Sequence, residues 1–136
     1  MTTADTDYDS LEDDEATGPA TYPLPDWAYP NCEKWFNGWF RHAIAGRFDN
    51  EHRWCAQWWR HNPVVLRVEE MWKAWESARL TDDPAALSAW WTGHADPHWR
   101  AITAEAGPLH LCNPREHTAG SPLAVTPTPP GWLDVP

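Results

Sequence analysis

The sequence predicts an all-α fold: a small Trp-rich domain of about four helices at residues 27–118, between an acidic tail (1–26) and a Pro-rich tail (119–136). Three observations predict it. Twelve of the 136 residues are Trp, and many fall at the three-four spacing of a buried helical face. An Asn or Asp followed directly by Pro recurs at 62–63, 83–84 and 96–97, which is a helix-start signature. The ends of the chain lack the apolar residues that would offset the entropy of ordering them, so both tails are expected to be disordered.

In chain order, Asn31 is placed to cap the first helix, whose stripe Phe36, Trp39, Phe40, Ala43 and Ile44 makes one apolar face, with Gly46 near its end. Asn62-Pro63 opens a second helix over about 63–80. Its Val65, Val68, Trp72 and Trp75 face inward and its Arg67, Glu70, Lys73 and Glu76 face solvent. Asp83-Pro84 opens a third at roughly 84–94, carrying Leu87, Trp90 and Trp91. Asp96-Pro97 opens a fourth at about 97–104 with Trp99 and Ile102, and Gly107-Pro108 stops it. Each Trp can remove ~150–250 Å² from water, so a few suffice to fill a core of this size. A domain this small is also where a metal or a partner often supplements the core.

The formal charge of −10 is unevenly distributed. Residues 1–26 hold eight acids and no Lys or Arg, whereas residues 27–118 hold eleven acids and ten bases. The domain is therefore close to neutral, and the low pI belongs to the tail. A near-neutral domain releases few counterions on meeting phosphate, which disfavours nucleic acid as a partner, although Arg47, Arg53, Arg60 and Arg67 flank Trp residues able to stack on unpaired bases. No basic-then-apolar leader opens the chain and no run of ~18 apolar residues interrupts it, so a cytoplasmic protein with no membrane contact is expected. In that compartment the three cysteines, Cys32, Cys55 and Cys112, are expected as thiols rather than disulfides.

Thiol and imidazole groups gather in three stretches: R-W-C-A-Q-W-W-R-H at 53–61, W-W-T-G-H-A-D-P-H at 90–98 and G-P-L-H-L-C-N-P-R-E-H at 107–117. A tetrahedral zinc site takes such ligands, and two of each can be drawn from Cys55, His61, His94, His98, Cys112 and His117. The spacings match no familiar finger, and Pro97 lies between His94 and His98. Each residue also has an ordinary role open to it. The cysteines suit small buried positions, His61 precedes a helix cap, and His94 ends a helix where a cation complements the dipole. His42, His52, His110 and Cys32 show no grouping, and Asp96 reads as a cap rather than a general base. No nucleophile elbow, phosphate loop or H-E-x-x-H is present, so catalysis would rest on a Cys/His cluster alone, as in a metal-dependent hydrolase.

The segment from Tyr29-Pro30-Asn31 to about Cys112 resembles an uncharacterised bacterial family known as domain of unknown function 4913. The likeness rests on Y-P-N before the first helix, W-C-A-Q-W-W-R-H at 54–61, M-W-K-A-W-E at 71–76, W-W-T-G-H-A-D-P-H at 90–98, and G-P-L with Cys112. Trp99 and Leu109 stand where the family pattern usually has Met and Phe. The family occurs mainly in actinobacteria, their phages and mobile elements, so the resemblance implies a cytoplasmic accessory protein of such an element and brings no activity with it. Its pattern carries Cys55, His61, His94, His98 and Cys112 together, which implies a shared site. The expected ligand set is Cys55, His94, His98 and Cys112, with His61 and His117 as substitutes and structural zinc as the cofactor. The expected function is that of a non-catalytic binding or interaction module with a protein partner. A metal-dependent hydrolase and a weak single-stranded nucleic-acid binder are the alternatives.

Overall fold

The computed structural model describes residues 21–46 and 52–134. The expected disordered acidic tail at 1–26 lies outside these residues over 1–20, and the expected disordered Pro-rich tail at 119–136 lies outside them over 135–136. Three helices are present among the described residues: α1 (32–43), α2 (Asn62–Arg79) and α3 (86–103). A short 3₁₀ turn, Trp58–Arg60, leads into α2.

The count of three corrects the expected four. The third and fourth expected helices are one continuous α3, made of Ala86–Trp90, a π-turn at Trp91–Ala95 and Asp96–Thr103. Pro97 therefore lies inside a helix and does not start one. A proline in a regular helix collides with the carbonyl four residues back and cannot donate to it. The wider π-turn immediately before Pro97, where the Asp96 N–H reaches the Trp91 carbonyl, inserts the extra residue that relieves this conflict. Asp83 behaves nearer to expectation: its Oδ1 accepts from the Ala85 N–H at 2.9 Å just before α3 begins.

α1 also contains a π-turn, Phe36–Phe40, between Cys32–Trp35 and Arg41–Ala43. Its start is the expected one, with the Asn31 side chain accepting from the Lys34 N–H at 2.8 Å. α2 begins one residue earlier than expected, at Asn62, with His61 extended at the cap and Pro63 within the first turn, where no N–H is needed. α2 packs against α1 and α3. Its buried face is Val64, Val68, Met71, Trp72, Trp75 and Glu76.

The core is built on indole rings. Trp35, Trp58, Trp72, Trp75 and Trp90 are buried, and Trp27, Trp39, Trp54, Trp91 and Trp99 pack against them half-buried. The π-turns meet where α1 crosses α3, with Trp39 at 5.8 Å and 6.0 Å from Trp90 and Trp91, and Phe40 at 5.4 Å from Trp99. The Trp90 Nε1–H donates to the Met71 carbonyl at 3.0 Å, so this ring satisfies its polar edge as it fills the core.

Glu76, expected on the solvent face, is instead fully buried. Its carboxylate accepts from the Ala28 and Tyr29 N–H groups at 2.8 Å each, from Trp72 Nε1 at 3.1 Å and from Arg79 Nε at 3.0 Å. Arg79 Nη2 also donates to the Asp26 carbonyl at 2.7 Å. This carboxylate ties the segment before α1 onto α2, because a buried charge is tolerated only when its oxygens are fully hydrogen-bonded. Tyr22 stacks on Trp27 at 5.1 Å and lies under Lys73, so residues 22–29 lie against the domain.

After α3 the chain turns at Gly107, where an added Cβ would stand 2.8 Å from the Ala101 carbonyl oxygen, so glycine alone fits the close approach. Leu109 is then fully buried. A tight hairpin follows, with Asn113 and Glu116 exchanging N–H to carbonyl bonds at 3.1 Å. Residues 119–134 are exposed, with Leu123 at 92% and Val125 at 86% exposure, and carry no helix or strand.

Candidate metal centre

Two short clips present the site. The first spans Cys55 to His61 around the Trp58–Arg60 turn, and the second spans Cys112 to His117 around the Asn113–Glu116 hairpin. Each clip contributes one thiol and one imidazole. Asn113 shapes the second, its Oδ1 accepting from the Arg115 N–H at 2.8 Å and the Glu116 N–H at 2.9 Å, while Pro114 presets the turn.

The four ligand atoms all lie within 4.8 Å of one another. His61 Nε2 is 3.1 Å from His117 Nδ1, Cys55 Sγ is 3.3 Å from His117 Nδ1, and Cys112 Sγ is 3.5 Å from His61 Nε2. A zinc ion with bonds of about 2.3 Å to sulfur and 2.0–2.1 Å to nitrogen at tetrahedral angles sets its donors roughly 3.3–3.8 Å apart. The three separations of 3.1, 3.3 and 3.5 Å lie close to that range, and the remaining pairs are within 4.8 Å. Cys55, His61 and Cys112 are buried and His117 is half-buried.

Protonation points the same way. Burial pushes the Cys55 thiol above its ordinary value, and the adjacent Cys112 adds to this, while a hydrogen bond from the Gln57 backbone opposes it. Burial, then His117 and Arg60, hold the His61 imidazole below its ordinary range. Protein alone thus favours the neutral thiol of Cys55 and the neutral imidazole of His61. A divalent cation reverses the preference, because two thiolates neutralise it and both imidazoles donate lone pairs to it. The Thr118 N–H lies 3.3 Å from Cys112 Sγ and would donate to that thiolate, as ligand-supporting backbone groups do.

Of the expected set Cys55, His94, His98 and Cys112, the structure brings the two cysteines together. The substitutes His61 and His117 complete the group. His94 is exposed on the α3 π-turn, and His98 lies half-buried, with its Nδ1 3.0 Å from Arg67 Nη1. Burial, then Arg67 and His94, lower the pKa of His98. Among the described residues, the Cys/His quartet is the one group of three or more His, Cys, Asp or Glu side chains with converging ligand atoms. The signal for it was in the sequence as two near-equal clips, Cys-x5-His and Cys-x4-His. The His-x3-His pair at 94 and 98 competed with that signal.

No helix among the described residues is long and apolar enough to cross a membrane. No curated protein matches the chain, and neither does any solved structure. One family profile does match, over residues 29–130, a span that contains all four clustered ligands. On that match the chain belongs to the family described as domain of unknown function (DUF4913).

Proposed function

We propose that this domain is a non-catalytic binding module of a phage or mobile element, acting on a protein partner in the bacterial cytoplasm. In this reading it is stabilised by one structural zinc ion on Cys55, His61, Cys112 and His117. The observation that carries it is the convergence of two thiol and two imidazole donors from two separate loops, three of them buried, within 4.8 Å of one another. Four protein ligands leave no open position for a water, so such an ion closes structure and activates nothing. The exposed Trp59, within the first clip, and Leu111, just before the second, offer apolar surface for a partner to cover.

Elemental mass spectrometry on the purified full chain tests the metal, and X-ray absorption tests its shell. About one zinc per chain in a shell of two sulfur and two nitrogen atoms is expected. Cys55→Ser and His61→Ala should each lose zinc at least tenfold more readily, as first-sphere substitutions do, while His94→Ala and His98→Ala retain it. Zinc lost from His94→Ala and His98→Ala but kept by His61→Ala would return the ligand set to Cys55, His94, His98 and Cys112. A shell with three protein ligands and one water would revive the hydrolase reading.

A further inference from the structure

The two clips are unequally anchored. The Cys55–His61 clip is fixed to the helices by contacts that do not involve its ligand atoms. The Arg53 N–H donates to the Thr103 carbonyl at 2.8 Å, and Trp54 stacks on Phe36 at 5.5 Å and meets Trp99 at 5.2 Å. Trp58 is buried against Phe36 at 4.9 Å, and the His61 carbonyl accepts from the N–H groups of Val64 and Val65 in the first turn of α2. Cys55 and His61 are therefore a preformed half-site.

The Cys112–His117 clip has a smaller footing: the Cys112 N–H donates to the Leu109 carbonyl at 2.9 Å, and Cys112 packs at the edge of the core. Leu109 is the last fully buried side chain before it. Among the described residues 110–134, only Cys112 is buried and only His117 is half-buried. The hairpin bonds of Asn113 and Glu116 are internal to it. Beyond that footing, the contacts of Cys112 with His61, and of His117 with Cys55 and His61, carry this segment onto the rest of the molecule.

Resting on the zinc reading above, we infer that the metal is a latch: it holds residues 110–134 on a helical domain that is already folded without it. The physical basis is the asymmetry of anchoring. Local opening follows the number of buried apolar contacts a segment makes, and the ten half-buried or buried Trp rings all lie before residue 100. Without the ion, the ligand atoms hold the segment by hydrogen bonds among themselves, as between His61 Nε2 and His117 Nδ1, where one ring donates and the other accepts. With it, a single bond network fixes the point from which Leu123, Val125, Trp132 and Leu133, all exposed, leave the domain. Zinc availability would thus govern how this apolar segment is displayed.

Hydrogen exchange read by mass spectrometry on the full chain, zinc-loaded and chelator-stripped, tests the latch. Stripping should speed exchange at the amides of Cys112, Asn113, Glu116 and Thr118 by about tenfold or more, and leave α1, α2 and α3 protected. His117→Ala in the presence of zinc should reproduce the stripped pattern. If the helices lose protection together with residues 110–118, the ion is a global folding element and the latch is overturned, while the zinc reading stands. Unchanged protection at 110–118 after complete stripping overturns it as well, because the segment would then be held by protein contacts. A full chain that takes up no zinc at all removes the latch and the zinc reading together, and metal content recorded on the same sample distinguishes that case.

Discussion

The two ends of this domain are tied down in different chemistries. At the N-terminal end a buried carboxylate, Glu76, gathers the Ala28 and Tyr29 backbone and the Trp72 and Arg79 side chains, using atoms the protein itself supplies. At the C-terminal end two thiol sulfurs and two imidazole nitrogens gather within 4.8 Å of one another, a donor set that a metal cation would unite. The difference is one of self-sufficiency. A carboxylate with N–H donors around it is complete, whereas thiols and neutral imidazoles form a strong cluster only around a cation.

Breaking the first tie should have the largest effect. Glu76→Gln places an amide NH₂ among N–H donors and removes the charge facing Arg79, so a loss of about 3 kcal/mol or more is expected in urea unfolding, with or without zinc. Zinc should act only through the second tie. Free zinc at about a hundred times its dissociation constant should raise the unfolding free energy by ~2.7 kcal/mol, and Cys112→Ser should erase that increment. Acid distinguishes the ties further in the zinc-free protein. His61 has its folded pKa below the ordinary 6.5, so its contribution is present above that pH and is lost as pH falls through the lower folded value. Protection at 110–118 should therefore weaken on acidification below about pH 6.5, with His61 ring resonances titrating below the free-histidine range. The smallest effect compares the two π-turn glycines. Gly93 has open space around it, so Gly93→Ala should stabilise by ~0.5–1 kcal/mol in thermal unfolding. Gly38→Ala should not share that gain, because its Cβ would stand 3.0 Å from Tyr29 Cε1 and press on the segment that Glu76 holds.

Local signals were legible where the physics is local. The Asn31 cap, the proline in the first turn of α2 and the inward Trp72 and Trp75 follow from short-range rules, and they are in the structure. Pro97 misled because proline admits two solutions, a helix start or a π-turn, and tertiary packing of Trp90, Trp91 and Trp99 chooses between them. Glu76 was unreadable for another reason: its position on the helix wheel borders the polar face, and its burial depends on residues 26–29 folding back from nearly fifty positions away. The two cysteines of the candidate site could be chosen by elimination among few thiols. Selecting His61 and His117 over His94 and His98 required knowing that α3 continues through Pro97 and that the chain doubles back at Gly107.

The crowding of indole rings has an optical consequence. Trp39 and Trp75 are 4.8 Å apart, Trp90 and Trp91 are 4.8 Å apart, and Trp35 stands edge-on to Trp90 at 6.1 Å, each pair at an oblique or near-perpendicular angle. Transition dipoles this close and this skewed exchange excitation and split into paired bands of opposite rotation in the far ultraviolet, overlying the peptide signal. The circular dichroism of the native domain would then misstate its helix content, and the bands of the Trp35–Trp90 and Trp39–Trp75 pairs would report, from within the core, the moment at which α1 leaves the other two helices.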